Sequence, residues 1–112
     1  SYTTSPAAHI MFEDRYDIRA TTFEEGNYIT IEFAGILNNS KNKDLANIFL
    51  NFMLSEEFQS VIPSTNIMYP VTTIKDLPEA FNKLEIPNFI QIDPKEININ
   101  KEKWIDEWLN AS

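Results

Sequence analysis

The chain has 112 residues, 43% of them hydrophobic and 23% charged, which is the composition of one globular domain rather than of a disordered segment. Its formal net charge of −8 disfavours nucleic-acid partners and anionic lipid, because such a surface repels phosphate groups. There is no cysteine, a single histidine (His9) and only two glycines (Gly26 and Gly35). These counts exclude disulfide frameworks, cysteine or histidine zinc sites and glycine-rich phosphate loops. We therefore predict that the chain is not an enzyme and that it uses no metal and no cofactor.

The first part of the chain predicts a short helix followed by a β-hairpin. Ser5 is a favourable N-cap residue and Pro6 suits the first helical position, so we expect a helix from about Pro6 to Asp14. Alternating apolar and polar residues then predict two strands, over 18–23 and 28–36, joined by a tight turn that contains a glycine.

The middle of the chain predicts two consecutive helices and an ordered loop. A helix over 43–54 carries a continuous apolar stripe. The stripe consists of Leu45, Ile48, Phe49, Phe52 and Met53. Ser55 caps a second helix, which Pro63 is expected to end. The segment 64–70 lies between two prolines and is predicted to be an ordered loop.

The C-terminal part predicts two more helices. Pro78 begins a short one that ends near Leu84. Asp93, Pro94 and Glu96 provide the N-cap, a proline at the first position and a glutamate at the third position of the last helix. Its apolar face carries Ile97, Trp104, Ile105, Trp108 and Leu109. We interpret this face, with its two tryptophans, as part of a core.

Three segments, in the same order along the chain, resemble the thiamine-binding proteins of bacterial ABC importers. The first is 1–9, Ser-Tyr-Thr-Thr-Ser-Pro-Ala-Ala-His. The second is 49–70, with Phe-Leu-x-Phe-Met-x-Ser at its start, Phe-Gln and Ile-Pro pairs inside, and Asn-Ile-Met-Tyr-Pro at its end. The third is Trp-Ile-x-Glu-Trp at 104–108. The resemblance covers essentially the whole chain and implies an α/β fold of the type II solute-binding class, with helices around a small mixed sheet.

The same resemblance implies how the chain relates to a larger protein. Members of the family have two α/β lobes that close on a ligand, and this chain corresponds to their C-terminal third. Residues 1–30, approximately, would end the second lobe and return through the hinge, and residues 31–112 would close the first lobe. The implied function is that of the extracytoplasmic component of an ABC importer, which carries thiamine or thiamine phosphate to a membrane permease. The implied location is the periplasm, and whether the protein is also lipid-anchored stays open.

The resemblance also implies a ligand-binding set. It consists of Tyr2, Thr4, Ser5, Ala8, Asn66, Ile67 and Tyr69. Tyr2 offers an aromatic face and a hydroxyl to a cationic thiazolium ring. Thr4 and Ser5 precede a helix N-terminus that would suit a phosphate, although Ser5 has an equal reading as a plain N-cap. Tyr69 either contacts the ligand or packs beneath its loop.

Two positions depart from the family's pattern. Ala8 and Ile67 stand where related thiamine binders carry a tyrosine and a tryptophan, so the predicted aromatic cage is thinner here. Because of this departure, an alternative function is that of a receptor for another small cationic solute, such as a polyamine.

Some features fit a different class of protein, or no function at all. A non-catalytic interaction domain that dimerises through its tryptophan helix is a further alternative. The isolated chain is predicted to form a homodimer, with exchange of an element between copies as one route, because its apolar faces need covering. His9 and Glu13 are four residues apart on a helix and are predicted to form a solvated pair.

Overall fold

The computed structural model describes residues 2–111, which contain six helices and a two-stranded sheet. In chain order these are α1 (Ser5–Glu13), β1 (Asn27–Tyr28), α2 (Lys43–Met53), α3 (Glu56–Gln59), α4 (Ile62–Thr65), α5 (Glu79–Asn82), β2 (Phe89–Ile90) and α6 (Pro94–Ala111). Among the helices of this described part, none combines the length and the apolar character that a membrane span requires.

The described residues divide into two compact units. The larger unit contains the chain up to Thr22 together with Ile31–Ile86. The smaller unit contains Phe23–Thr30 and the residues from Pro87 onward. The assignment of 1–30 and 31–112 to two different lobes stays a prediction.

The core of the larger unit is built where α1 meets α5. Ala7 on α1 and Ala80 and Phe81 on α5 are buried and form one cluster. Half-buried apolar side chains surround it: Ile10, Met11, Ile67, Leu77 and Leu84. Ala7 and Ala80 have no side chain beyond Cβ, which lets the two helices approach closely and leaves Phe81 to fill the space between them.

Helix α1 ends where the sequence predicted, but it begins differently. Ser5 is already the first helical residue, and Thr4 precedes it with helical φ and ψ and no side-chain cap bond. The prediction that Ser5 caps the helix is therefore wrong, because a turn over residues 2–5 draws Ser5 into the helix. At the other end Asp14 adopts a left-handed conformation, with φ of 52°, and stops the helix.

The predicted hairpin is wrong. Its turn does form, since the N–H of Gly26 donates to the carbonyl of Phe23 at 3.0 Å. Residues 18–23 form no strand, however, and of the strand predicted over 28–36 only Tyr28 is part of a strand, β1. Strand β1 pairs in parallel with β2, with Asn27 opposite Phe89. Alternation of apolar residues predicts that a segment is extended but does not determine its partner, which here lies far along the chain.

Helix α2 forms as predicted, and α3 begins as predicted but ends at Gln59, before the residues expected to continue it. The Ser55 hydroxyl accepts from the N–H of Phe58 at 3.3 Å and caps α3. The pKa of Glu57 lies below its ordinary value because its carboxylate accepts from its own N–H and from the Ser55 hydroxyl. The rings of Phe49, Phe52 and Phe58 contact one another with centroids 5.6–6.4 Å apart, which ties the two helices together.

Pro63 does not end a helix, contrary to the prediction. It lies in the first turn of α4 and is fully buried. A proline fits there because the N–H it lacks has no intrahelical acceptor in the first turn. The loop predicted for 64–70 therefore starts later, at Asn66, and we call residues 66–70 the 66–70 loop.

The start of α6 is confirmed, whereas the burial of its tryptophans is not. The Asp93 carboxylate accepts from the N–H of Lys95 at 2.8 Å, as an N-cap does. No described side chain of α6 is buried, and Trp108 is 71% exposed. The interpretation of this face as core is wrong for this chain, because two strands of two residues each cannot cover an 18-residue helix.

Candidate functional site

Tyr2, Thr4 and Ser5 form the turn that enters α1. The N–H of Ser5 donates to the carbonyl of Tyr2 at 3.0 Å, and the N–H of Tyr2 donates to the Ser5 hydroxyl at 3.2 Å. The Tyr2 side chain is 68% exposed, so its ring and hydroxyl are accessible to a ligand. The turn thus fixes the backbone of Tyr2 while its side chain points out of the core.

The first turn of α1 offers hydroxyl groups rather than free amides. The N–H groups of Ser5 and Ala7 donate to the carbonyls of Tyr2 and Thr4, both at 3.0 Å, and Pro6 has no N–H. Anion sites at helix N-termini depend mainly on unpaired amides. A phosphate at this end would therefore be bound chiefly by the half-buried hydroxyls of Thr4 and Ser5.

The 66–70 loop contains a strained residue. Ile67 has φ of 54°, in the left-handed region that a β-branched side chain rarely adopts. Its side chain packs against the cluster formed by Ala7, Ala80 and Phe81. Such a conformation persists only where the surroundings determine it, and it is typical of functional loops.

The polar and aromatic groups of the loop lie on either side of Ile67. The amide nitrogen of Asn66 donates to the Glu32 carboxylate at 3.2 Å, and both residues are exposed. The ring of Tyr69 meets Phe81 edge to face with centroids 5.1 Å apart. Partial burial raises the pKa of the Tyr69 hydroxyl. Tyr69 thus contacts the core through its ring and remains 40% exposed.

The core cluster links the two predicted groups of site residues. Ala7 belongs to α1, next to Ala8, and Ile67 belongs to the 66–70 loop; both join the packing around Phe81. Ala8 is half-buried. The exposed side chain of Tyr2 stands apart from this packing.

Two residues that sequence reasoning did not single out hold this loop. Glu32 is the acceptor for Asn66. Gln59 bonds at both ends of its amide, donating to the carbonyl of Met53 at 2.7 Å and accepting from the N–H of Val71 at 2.8 Å. The sequence did point to Gln59 as part of the Phe-Gln pair in the second resembling segment. Its hydrogen-bond partners, however, could not be predicted from the sequence.

A cavity of about 300 Å³ lies beside α1 and is lined by Thr3 and Pro6, the neighbours in sequence of Thr4 and Ser5. Its lining consists of Thr3, Pro6, Ile10, Ile18, Arg19, Ala20, Lys83, Leu84 and Glu85. The cations there already have partners: Arg19 donates to the carbonyls of Tyr16 and Ile18, and Lys83 pairs with Glu79 at 3.2 Å. The cavity contains none of the seven predicted site residues.

Among the remaining titratable groups, the pair predicted on α1 forms. His9 and Glu13 lie 3.0 Å apart at the surface, which confirms the predicted pair. Within residues 2–111, no three His, Asp or Glu side chains come together in a way that would hold a metal ion.

The strain at Ile67 gives a testable prediction. Ile67→Ala and Ile67→Gly both remove its packing, but only alanine keeps a Cβ in the left-handed region. We expect the glycine variant to be more stable than the alanine variant by about 1 kcal/mol in urea unfolding. At Ile105, in helix α6, the same two substitutions should give the opposite order. An alanine variant at Ile67 as stable as the glycine variant would contradict the left-handed conformation.

Comparison with known proteins identifies the class. Residues 3–94 match the family described as bacterial extracellular solute-binding protein, and the chain belongs to that family. The thiamine-binding periplasmic protein of Escherichia coli K12 is 43% identical over 112 residues, which are 99% of this chain and 34% of that protein. The corresponding protein of Haemophilus influenzae is 34% identical over 110 residues, covering 96% and 32%.

A solved structure agrees with the sequence relatives. A periplasmic thiamin binding protein superposes with a TM-score of 0.86 and 43% identity, over 99% of this chain and 35% of that one. The chain therefore spans about a third of the length of these relatives, in their C-terminal part. The resemblance inferred from the three sequence segments is confirmed, and with it the α/β fold class, although the sheet described here is parallel.

Proposed function

We propose that this chain forms the C-terminal third of the periplasmic solute-binding protein of an ABC importer, and that the protein binds thiamine or thiamine phosphate. The observation that carries the proposal is the match of the whole chain to a periplasmic thiamin binding protein at 43% identity and a TM-score of 0.86. Thiamine-binding relatives from several bacteria, each about three times as long, support it. We call the two-lobed protein that would contain this chain the full-length protein.

The proposed action is binding without chemistry. A ligand that contacts both lobes favours the closed form of the protein, and the closed form is the one that the permease recognises. This chain would supply one part of the cleft. No catalytic step is proposed.

The ligand contacts proposed for this chain come from two places. The turn before α1 supplies Tyr2, Thr4 and Ser5, and the 66–70 loop supplies Asn66 and Tyr69. The exposed ring of Tyr2 suits the face of a cationic heterocycle. Ala8 and Ile67 complete the set as small or aliphatic groups.

A second candidate ligand is another small cation, such as a polyamine. The observation that favours it is the exposed Glu32 carboxylate beside Asn66, together with aliphatic groups at Ala8 and Ile67. A flexible ammonium chain needs carboxylates more than stacked rings.

The homodimer of the isolated chain also stays a prediction, supported by exposed apolar side chains on α2 and α6.

Tyr2→Ala in the full-length protein tests the proposed site. Loss of a stacked ring and a hydrogen bond should weaken thiamine binding by about 1–3 kcal/mol in calorimetry. Stability should change less, because the side chain is exposed. Tyr16→Ala, at another exposed tyrosine of the same unit, serves as the control and should leave the affinity unchanged. If Tyr2→Ala keeps the affinity within about twofold while the melting temperature falls sharply, Tyr2 is a packing residue.

A further inference from the structure

Gln59 is the buried polar side chain of the described core. It is the last residue of α3 and is 6% exposed. Its amide nitrogen donates to the carbonyl of Met53, at the end of α2, and its amide oxygen accepts from the N–H of Val71. Both ends of the amide are therefore satisfied, as a buried polar group requires.

These two bonds join segments that are otherwise separate in sequence. Met53 lies 6 residues before Gln59, and Val71 lies 12 residues after it. Val71 directly follows the 66–70 loop. At the other end of the loop, the N–H of Asn66 donates to the carbonyl of Ile62 and continues α4. The loop is thus fixed at both ends, and one of the two attachments is the Gln59 side chain.

The strained residue lies between these two attachments. Ile67 has φ of 54°, so the loop would relax to other conformations if either end were released. Packing of Ile67 on the core and of Tyr69 on Phe81 depends on the path of the loop.

We infer that Gln59 is a positioning residue for ligand binding: it fixes the end of the 66–70 loop and so holds Asn66 and Tyr69 in the arrangement that receives the ligand. Only the part of this inference that concerns the ligand rests on the proposed function. The attachment of the loop by Gln59 can be tested without any ligand.

The chemistry of the site requires an amide at this position. The group must donate toward the Met53 carbonyl and accept from the Val71 N–H at the same time. A methionine of similar length cannot donate to the Met53 carbonyl, and its thioether sulfur is only a weak acceptor for the Val71 N–H. A glutamate accepts at any pH, but it donates only when protonated, and its ionised form would place negative charge against a carbonyl oxygen.

The test compares Gln59→Met, Gln59→Glu and a matched control, Gln91→Glu, which changes an exposed glutamine in the smaller unit. All are made in the full-length protein. The first readout is the ring signal of Tyr69 in NMR spectra of protein with 13C-labelled tyrosine, identified by its loss in Tyr69→Phe. The second readout is thiamine affinity by calorimetry.

Gln59→Met should shift the Tyr69 signal at every pH and weaken thiamine binding about tenfold, the effect of losing a hydrogen bond that organises the site. Gln59→Glu should do the same near pH 8 and return toward wild type near pH 5, where a buried carboxyl regains its proton. Glu56, Glu57 and Lys75 lie close by, with Glu56 accepting from the N–H of Lys75 at 3.4 Å. Their own titration is removed by comparison with wild type and Gln91→Glu at each pH.

The outcomes separate the two proposals. An unchanged Tyr69 signal in Gln59→Met overturns the positioning role. The role is also overturned if the Tyr69 signal and the thiamine affinity of Gln59→Glu do not recover at low pH. It is overturned as well if the Gln59 variants lose stability but keep the wild-type Tyr69 signal and thiamine affinity. If wild type binds no thiamine while the Tyr69 signal follows the expected pattern, the proposed ligand fails and the attachment of the loop by Gln59 stands. If Gln59→Met does not fold, the Tyr69 signal and thiamine affinity of Gln59→Glu near pH 8 and near pH 5 still test the positioning role.

Discussion

Replacement of Phe81 by alanine is expected to lower the free energy of unfolding by about 3–5 kcal/mol, the cost of emptying a buried aromatic site. Phe81 is 2% exposed and fills the space between Ala7 and Ala80, neither of which has side-chain volume to compensate. The variant also loses the edge-to-face contact with Tyr69 at 5.1 Å. Urea unfolding followed by circular dichroism measures the change.

The matched control for this prediction is Phe33→Ala. Phe33 is 88% exposed, so its removal should change stability by no more than about 0.5 kcal/mol. Because Ile67 and Tyr69 both pack around Phe81, the core variant should also weaken ligand binding in the full-length protein. Equal effects of the two substitutions on stability would show that the core does not lie between α1 and α5.

Gly26→Ala is expected to destabilise the smaller unit by roughly 3 kcal/mol, because two costs add. The φ of Gly26 is +105°, a conformation that alanine rarely adopts, and a Cβ there would lie 2.7 Å from the carbonyl oxygen of Asn88. That carbonyl accepts from the N–H of Asn27 at 2.8 Å, in the pairing of β1 with β2. The obstacle is backbone, so relief requires separation of the two strands. Hydrogen exchange at the amides of Asn27 and Ile29 should report the separation directly.

The chain provides its own control for this substitution. Gly35 has no atom within 4 Å of the position of an added Cβ, and its φ lies outside the left-handed range. Gly35→Ala should therefore be neutral or slightly stabilising, since alanine restricts the unfolded chain. A Gly26→Ala variant with normal exchange at Asn27 would mean that β1 and β2 do not pair through Asn88.

Local signals in the sequence predicted where α3 and α6 begin. Ser55 and Asp93 cap α3 and α6 through contacts within a few residues, and such contacts can be read from the chain itself. The partner of β1 could not be read in this way, because a two-residue strand carries no register information and its partner is set by packing. The prediction that Pro63 ends a helix failed for a related reason. A proline that follows one helix and a proline in the first turn of the next cannot be told apart from the sequence alone.

The candidate site was predicted through resemblance, and its geometry was not predicted at all. A β-branched residue disfavours positive φ, so nothing in the sequence pointed to the conformation of Ile67. The role of Gln59 depends on a bond to Val71, 12 residues away, that only the folded chain reveals. The tryptophans of α6 were assigned to a core because apolar stripes usually are buried, yet Trp108 is 71% exposed in this chain.

Isothermal titration calorimetry of the full-length protein with thiamine tests the central claim most directly. The account predicts saturable binding of one thiamine or thiamine phosphate per protein, and a weaker complex when Tyr2 is replaced by alanine. Absence of saturable heat with thiamine and its phosphates, under conditions where the wild-type protein is folded, would contradict it.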